Sequence, residues 1–150
     1  MFELSPTQAG VAGEYLVAGE LSRRGYLASL TLRNSEGIDV LAASADASRS
    51  VGIQVKTTRG SDGRWLVGRK FEKFCSDNLF YVFVSLHHGE QPPTFHVVPS
   101  HVLVDRVRAR VEWWMSTTDR QGQPHKDSGI RDFRDKDGDF LNKWELLGLN

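Results

Sequence analysis

The segment Val51-Gly52-Ile53-Gln54-Val55-Lys56-Thr57-Thr58 alternates apolar and polar side chains, as a half-buried β-strand does. The face that packs into a core carries three apolar residues, Val51, Ile53 and Val55. Gln54 and Lys56 fall together on the other face, about 7 Å apart along the strand. We therefore expect this strand to present two polar groups side by side to a site.

The preceding segment supplies an acid next to this strand. Residues 38–43 form a short apolar strand that contains Asp39, and residues 44–50 are small and polar, which is typical of a hairpin tip. An acid within an apolar strand is costly unless it has a partner or a ligand. If the two strands pair as a hairpin, Asp39 lies beside Gln54 and Lys56.

A helix is predicted further upstream, over residues 6–24. Ser5 and Gln8 form a capping box, Pro6 suits the first helical position, and Gly25 ends the segment. Its apolar residues recur at helical spacing and are Val11, Tyr15, Ala18 and Leu21. Glu14 lies within this apolar face and Glu20 lies on the opposite, solvated face. We therefore expect Glu14, and not Glu20, to point towards the sheet.

The remaining elements predict a mixed α/β (α+β) sheet with helices packed against it. The predicted strands are residues 26–33, 38–43, 51–58, 79–86 and 94–98, with a turn at 34–37 and a short edge strand at 65–67. The predicted helices downstream are residues 69–76, 100–115 and 140–147. Segment 79–86 is apolar on both faces, as in a central strand, and the short helix before it favours a parallel crossover from the third strand. Segment 100–115 also fits strand periodicity, but its length favours a helix. Residues 116–139 are polar, and we expect a mobile loop.

Composition indicates a single-domain globular protein. The chain has 150 residues and a formal net charge of zero, so nucleic-acid binding would have to come from local charge. The single cysteine, Cys75, excludes an intrachain disulfide and suits a reducing compartment. No signal peptide is recognisable at residues 1–4, and the longest apolar run, 79–84, is too short for a bilayer. We expect a cytoplasmic protein with no membrane partner.

The polar residues around the strand pair fit divalent-metal chemistry. Carboxylate oxygens and an amide oxygen are hard ligands, which suit Mg²⁺ or Mn²⁺. A lysine beside such a cation can orient a water and stabilise charge at a phosphate. The set of Glu14, Asp39, Gln54 and Lys56 therefore fits phosphodiester hydrolysis, whereas a structural Asp39–Lys56 salt bridge is the alternative explanation.

These residues resemble the PD-(D/E)XK nuclease superfamily. The likeness lies in Glu14, in Gly37-Ile38-Asp39 and in Gln54-Val55-Lys56, where Gln replaces the usual acid as in the Mrr-like variant. It covers about residues 5–86, leaving 87–150 as a C-terminal extension. The resemblance implies a restriction-endonuclease-like core. It also implies that Asp39, Gln54 and Glu14 hold the metal and that Lys56 positions the nucleophilic water.

The resemblance predicts a hydrolase, a Mg²⁺- or Mn²⁺-dependent endonuclease acting on DNA, although the residues do not distinguish DNA from RNA. The short chain leaves little room for a separate recognition domain, which favours a homodimer or a larger assembly. Because Gln54 removes one negative charge, an alternative is a non-catalytic nuclease-fold module that binds nucleic acid or a protein. A purely structural interaction domain is a third candidate.

The stretch after the third strand is locally basic and predicts a nucleic-acid contact surface, with a solvated basic face as the alternative. Its expected contact residues are Arg59, Arg64, Trp65, Arg69, Lys70 and Lys73. Other features suggest no site. Residues 135–139 do not align with a calcium loop and are expected to cap the last helix. The five histidines are expected on the surface, and the pair Trp113-Trp114 in the core.

Overall fold

The computed structural model describes residues 3–32 and 36–150. Helix α1 spans Pro6–Arg23 and is capped as predicted, because the Ser5 hydroxyl accepts the Gln8 amide N–H at 3.2 Å and the Gln8 side chain accepts the Ser5 N–H at 2.9 Å. Helix α2 spans Ser100–Ser116, which confirms the helical interpretation of that segment. The strands are β1 Leu27–Leu30, β2 Val40–Ala43, β3 Ser50–Thr58, β4 Arg64–Val67, β5 Leu79–Ser85, β6 Thr94–Pro99 and β7 Arg131–Arg134.

Five of these strands form one mixed sheet in the order β1-β2-β3-β5-β6. β3 and β5 are parallel, and the other neighbours are antiparallel. The sheet therefore has the predicted crossover between β3 and β5 and the predicted mixed α/β class. β4 does not extend this sheet but pairs with β7 in a separate two-stranded ribbon.

Two apolar clusters lie on opposite faces of the main sheet. On one face, α1 and the C-terminal residues Trp144, Leu147 and Leu149 pack on the odd-numbered residues of β3, such as Ile53. On the other face, α2 and the β4–β7 ribbon pack on Tyr81 and Phe83 of β5. All seven residues of β5 are buried, so this strand is central and covered on both sides, as its sequence predicts.

The helical phase predicted for α1 is partly wrong. Its buried residues are Ala9, Gly13, Val17 and Leu21, whereas Tyr15 is 65% exposed. The prediction ranked residues by hydrophobicity, but a small residue faces the sheet because the helix approaches closely there. A Cβ on Gly13 would overlap the Thr57 hydroxyl of β3. Glu20 is not on a fully solvated face either: it is half-buried and forms ion pairs with Arg23 and Arg24.

The C-terminal third differs most from the prediction. Residues 116–139 contain β7, and the last predicted helix is reduced to a 3-10 turn at Trp144–Leu147. Within this C-terminal segment, Trp144 and Leu147 are buried, whereas Leu141 is exposed. Asp135 accepts the amide N–H groups of Asp139 and Phe140 and so closes a turn rather than a helix start.

Two further predictions about burial are wrong. His96 is buried, with its Nδ1 at 2.7 Å from a carboxylate oxygen of Asp135. Trp113 and Trp114, expected in the core, are 59% and 43% exposed, because the buried residues of α2 end at Val107. The predicted turn at 34–37 and the end of the predicted first strand at Arg33 lie partly outside the described residues. Within the described ranges, no helix has the length and apolar character to cross a membrane.

Candidate functional site

The strand pair β2–β3 places Asp39 against the two polar residues of β3. Val40 pairs with Ile53, so Asp39 and Gln54 are neighbours at the end of this ladder. The Asp39 N–H donates to the Ile53 carbonyl at 2.8 Å, and the Asp39 Oδ2 accepts the Val55 N–H at 2.7 Å. Because Val55 lies between Gln54 and Lys56, the Asp39 carboxylate is anchored to the main chain between the two motif residues.

The side chains of Asp39, Gln54 and Lys56 have donor or acceptor atoms without hydrogen-bond partners in the described part of the chain. Gln54 and Lys56 are half-buried, and neither side chain makes a hydrogen bond or an ion pair with the described part of the chain. The second oxygen of Asp39, Oδ1, likewise has no partner among these residues. The alternative explanation, an Asp39–Lys56 salt bridge, is therefore not formed. The unpartnered polar atoms of all three side chains are accessible to solvent, so they are available to bind a ligand.

Gln54 and Lys56 form one wall of a cleft of about 220 Å³. Arg69, Lys70 and Glu36 line the same cleft, with Lys70 in an ion pair with Glu36 at 2.8 Å. Gly37, with φ +80, also lines it, and the Phe74 ring packs so closely that a Cβ on Gly37 would overlap the ring. This contact explains why glycine opens the Gly37-Ile38-Asp39 motif.

Tyr81 lies behind the two motif residues. It is the β5 partner of Gln54 in the parallel ladder and lines the same cleft. Its hydroxyl is buried without a hydrogen-bond partner among residues 3–32 and 36–150, and burial raises the pKa of Tyr81 to about 12. The back of the cleft is therefore uncharged at neutral pH, and the positive charge of Lys56 is not compensated from this side.

Glu14 approaches from the other face of the sheet. It follows Gly13, which packs on Thr57, and Thr57 faces α1 whereas Gln54 and Lys56 face away from it. Glu14 is half-buried, unlike the exposed Tyr15 next to it. The helix turn that carries Glu14 therefore covers the end of β3 next to Lys56, on the opposite side of the strand.

The six predicted nucleic-acid residues lie in four different places. Arg69 and Lys70 line the cleft of Gln54 and Lys56, and Lys73 is exposed nearby in the segment after Lys70. Arg59 lies elsewhere, held by the Glu3 carboxylate and the Leu4 carbonyl. Trp65 is incorrect as a stacking residue: it is 2% exposed and its indole N–H donates to the Val84 carbonyl at 2.9 Å.

Arg64 belongs to a charged cluster that the sequence pattern does not indicate. Its Nε donates to Asp132 of β7 at 2.7 Å, and Arg110 and Arg134 bind the same carboxylate. Burial tends to raise the pKa of Asp132, but the hydrogen bonds and charges of the arginines outweigh it and hold this pKa below its ordinary value. The sequence carries no clear signal for this cluster, because β7 is only four residues long and its two interior residues, Asp132 and Phe133, are both buried.

The donor set at the motif fits a hard divalent cation, although it is poor in acids. Asp39, immediately before β2, and Gln54 of β3 each have a side-chain oxygen with no partner among the described residues. Across the described ranges, no three His, Cys, Asp or Glu side chains gather as a metal-binding group. A cation here would therefore depend on the amide oxygen and on water as well as on carboxylate.

The comparisons with known proteins concern the fold alone. The sequence matches no protein-family model and no curated protein. The structure is similar to that of a bacterial homing endonuclease, I-Ssp6803I, with a TM-score of 0.52 and 17% sequence identity. The similarity covers 86% of this chain and 88% of that chain, so it extends well beyond the β2–β3 motif. The chain therefore has a nuclease-like mixed α/β fold.

Proposed function

We propose that the protein is a metal-dependent endonuclease of the PD-(D/E)XK type that hydrolyses phosphodiester bonds in DNA. The observation that carries the proposal is the anchoring of the Asp39 carboxylate between Gln54 and Lys56, both without protein partners. The structural neighbour, a homing endonuclease, supports a nuclease acting on DNA. The chain's net charge of zero leaves the local basic residues of the cleft to attract the substrate.

In this proposal, each side chain has a defined role. Asp39 and Gln54 would hold a Mg²⁺ or Mn²⁺ ion through oxygen atoms. Glu14, which α1 carries on the opposite side of β3, would reach past the end of this strand next to Lys56 to serve as an accessory ligand. The cation, when bound, supplies positive charge at the scissile phosphate. The Lys56 ammonium donates hydrogen bonds to the attacking water and to a phosphate oxygen, which stabilises the charge that develops in the transition state. Arg69 and Lys70 bind neighbouring phosphates.

The test is a cleavage assay on supercoiled and branched DNA with Mg²⁺ and with Mn²⁺. Asp39→Asn removes the charge but keeps an oxygen that can accept the Val55 N–H, so the fold is retained. Lys56→Ala removes the ammonium group. Each should lower the cleavage rate by about 100-fold or more, and only Asp39→Asn should also weaken metal binding in calorimetry.

Lys136→Ala is the matched control, because Lys136 is an exposed lysine outside the cleft. It should cleave at the parental rate. Parental rates in both Asp39→Asn and Lys56→Ala would rule out this site assignment, and an absence of cleavage in the parent with every substrate and metal would rule out the enzymatic function.

A non-catalytic nuclease-fold module is the second candidate, and one observation favours it. Gln54 is neutral where the family motif has an acid, so the site carries less negative charge to hold a cation. Such a module would bind DNA or a protein through the same cleft with no dependence on Mg²⁺ or Mn²⁺. Calorimetry with Mg²⁺ and Mn²⁺ separates the two candidates, because only the enzyme requires binding that Asp39→Asn weakens.

A further inference from the structure

A cluster of three arginines lies on the β4–β7 ribbon and the last turns of α2. Arg64, Arg110 and Arg134 all donate through Nε to Asp132, at 2.7, 2.8 and 3.2 Å. One carboxylate thus compensates three guanidinium groups, which leaves two positive charges. The terminal nitrogens of these guanidinium groups have no protein partner in the described part of the chain. They remain available as donors to an anion.

Asp132 holds the three arginines together in the absence of a ligand. The Asp132 side chain is only 10% exposed, and its lowered pKa keeps it charged under ordinary conditions. Each arginine is held at Nε, so less side-chain entropy remains to be lost when its terminal nitrogens bind. Guanidinium groups held in this way match phosphate oxygens in geometry and charge.

Aromatic surface adjoins the arginines. Trp113 and Trp114 line the same cleft of about 350 Å³ as Arg110. Trp114 stacks on His125, with ring centroids 3.6 Å apart, whereas the larger exposed area belongs to Trp113. An exposed tryptophan beside paired arginines offers a flat face to an unpaired base, and every base can stack on it.

This cleft and the cleft of Gln54 and Lys56 are linked by a third cleft that shares lining residues with both. Arg69 and Phe71 line both the motif cleft and a second cleft of about 400 Å³. That second cleft shares Asp127 and Arg131 with the cleft of the arginine cluster. Three adjoining clefts, together called the groove below, therefore lead from Gln54 and Lys56, past Arg69, to Trp113.

The groove carries positive charge in a chain whose net charge is zero. Among the described residues that line it, seven are basic: Lys56, Arg64, Arg69, Lys70, Arg110, Arg131 and Arg134. Four are acidic: Glu36, Glu72, Asp127 and Asp132. The excess of three positive charges is local to the groove and complements a chain of phosphates.

We propose that this groove binds a single unpaired DNA strand next to the cleavage point, with phosphates on the arginine cluster and a base stacked on Trp113. The proposal rests on the proposed function for its substrate, and it narrows that substrate to DNA with a single-stranded branch or end. Base stacking selects the single strand, because the bases of an intact duplex present their edges and not their faces.

The test measures binding in EDTA, so that cleavage cannot occur. Fluorescence anisotropy follows a labelled oligothymidylate and a labelled duplex hairpin of the same phosphate number. The parent should bind the single strand more tightly. Trp113→Ala and Arg110→Ala should each weaken single-strand binding by about tenfold. Arg110→Ala leaves Arg64 and Arg134 on Asp132, and circular dichroism verifies that each variant is folded.

Two matched controls lie off the groove. Tyr15→Ala removes an aromatic residue that is more exposed than Trp113 but lies on α1, and Arg106→Ala removes an exposed arginine of α2 that pairs with Asp139. Both should bind as the parent does. Equal single-strand affinity in Trp113→Ala, Arg110→Ala and the parent would overturn the proposal, and so would tighter parental binding of the duplex.

Failure of this proposal can be told apart from failure of the proposed function. Groove-dependent binding in EDTA without cleavage in Mg²⁺ or Mn²⁺ would rule out the enzyme and support the groove. Cleavage that depends on Asp39 and Lys56, with single-strand binding insensitive to Trp113, would support the enzyme and rule out the groove.

Discussion

Gln54 is the residue that most distinguishes the proposed metal site from the usual form of its motif. It is half-buried, lies opposite Asp39 at the end of the β2–β3 ladder, and contributes an oxygen without a charge. In a low-charge site of this kind, water and the amide oxygen take a larger share of cation binding. The proposed enzyme should therefore bind its metal weakly and respond strongly to an added charge at this position.

Gln54→Glu tests that expectation. The new carboxylate lies next to Asp39, so mutual repulsion should lower the melting temperature in EDTA and Mg²⁺ should restore it. Metal affinity measured by calorimetry should rise by about tenfold, because one more negative charge faces the cation. Gln91→Glu, at an exposed loop position, is the control and should change neither quantity. A fall in metal affinity with the fold intact would remove Gln54 from the ligand set.

The positions of some site residues can be predicted from the sequence because they depend on local structure, whereas others depend on contacts between distant parts of the chain. The proximity of Asp39, Gln54 and Lys56 depends only on strand alternation and one local hairpin, both readable from the chain. Burial of a large aromatic depends on distant neighbours. Trp65 is buried in the apolar cluster between the sheet, α2 and the β4–β7 ribbon. Trp113 lies beyond the end of that cluster. The role of Glu14 as a ligand stays a prediction.

At the scale of elements, the contact between α1 and β3 places the helix over the motif strand. The contact is close because Gly13 has no side chain: a Cβ there would overlap the Thr57 hydroxyl and lie 3.1 Å from its Cβ. Hydrophobic periodicity does not identify the buried face of α1, because the residue in closest contact with β3 is a glycine and not a large apolar residue. The capping box and the central strand β5 were predictable, since both signals are local.

Replacing glycines in α1 tests this contact. Gly13→Ala should lower the free energy of unfolding by about 1–3 kcal/mol, because the helix must move away from β3 or Thr57 must change its rotamer. Gly19→Ala is the matched control, since no atom lies within 4 Å of its Cβ position. It should raise the free energy by about 0.5–1 kcal/mol through better helix propensity. Urea denaturation measures both. A stabilising Gly13→Ala would contradict the close approach of α1.

The β4–β7 ribbon was less predictable than the main sheet. β7 is four residues long, is flanked by polar sequence, and pairs with a strand more than sixty positions away in the chain, as in Arg64 with Arg134. Its interior residues, Asp132 and Phe133, are both buried, so the strand lacks clean alternation. Apolar–polar alternation over four residues is too short a pattern to predict a strand.

For the proposed binding of DNA, the distribution of charge over the molecule matters more than its net charge. The chain is neutral, which by itself argues against a nucleic-acid partner, yet the fold gathers an excess of positive charge along one groove. Residues far apart in sequence, such as Lys56 and Arg134, contribute to the same groove. This distribution arises only when the ribbon and α2 pack on the sheet, so composition could not predict it.

The salt dependence of binding measures this groove directly. Each phosphate that a cation neutralises releases counterions, so the logarithm of the association constant for single-stranded DNA should fall with the logarithm of salt concentration by about 0.7 per contact. Because the protein is neutral overall, the slope should report groove contacts alone.

Arg110→Ala should reduce the steepness of the slope by about 0.7. Lys136→Ala removes an equal charge outside the groove and should leave the slope unchanged. Trp113→Ala should weaken binding at every salt concentration with the parental slope, because stacking releases no counterions. Equal slopes in the parent and Arg110→Ala would mean that the arginine cluster does not contact phosphate.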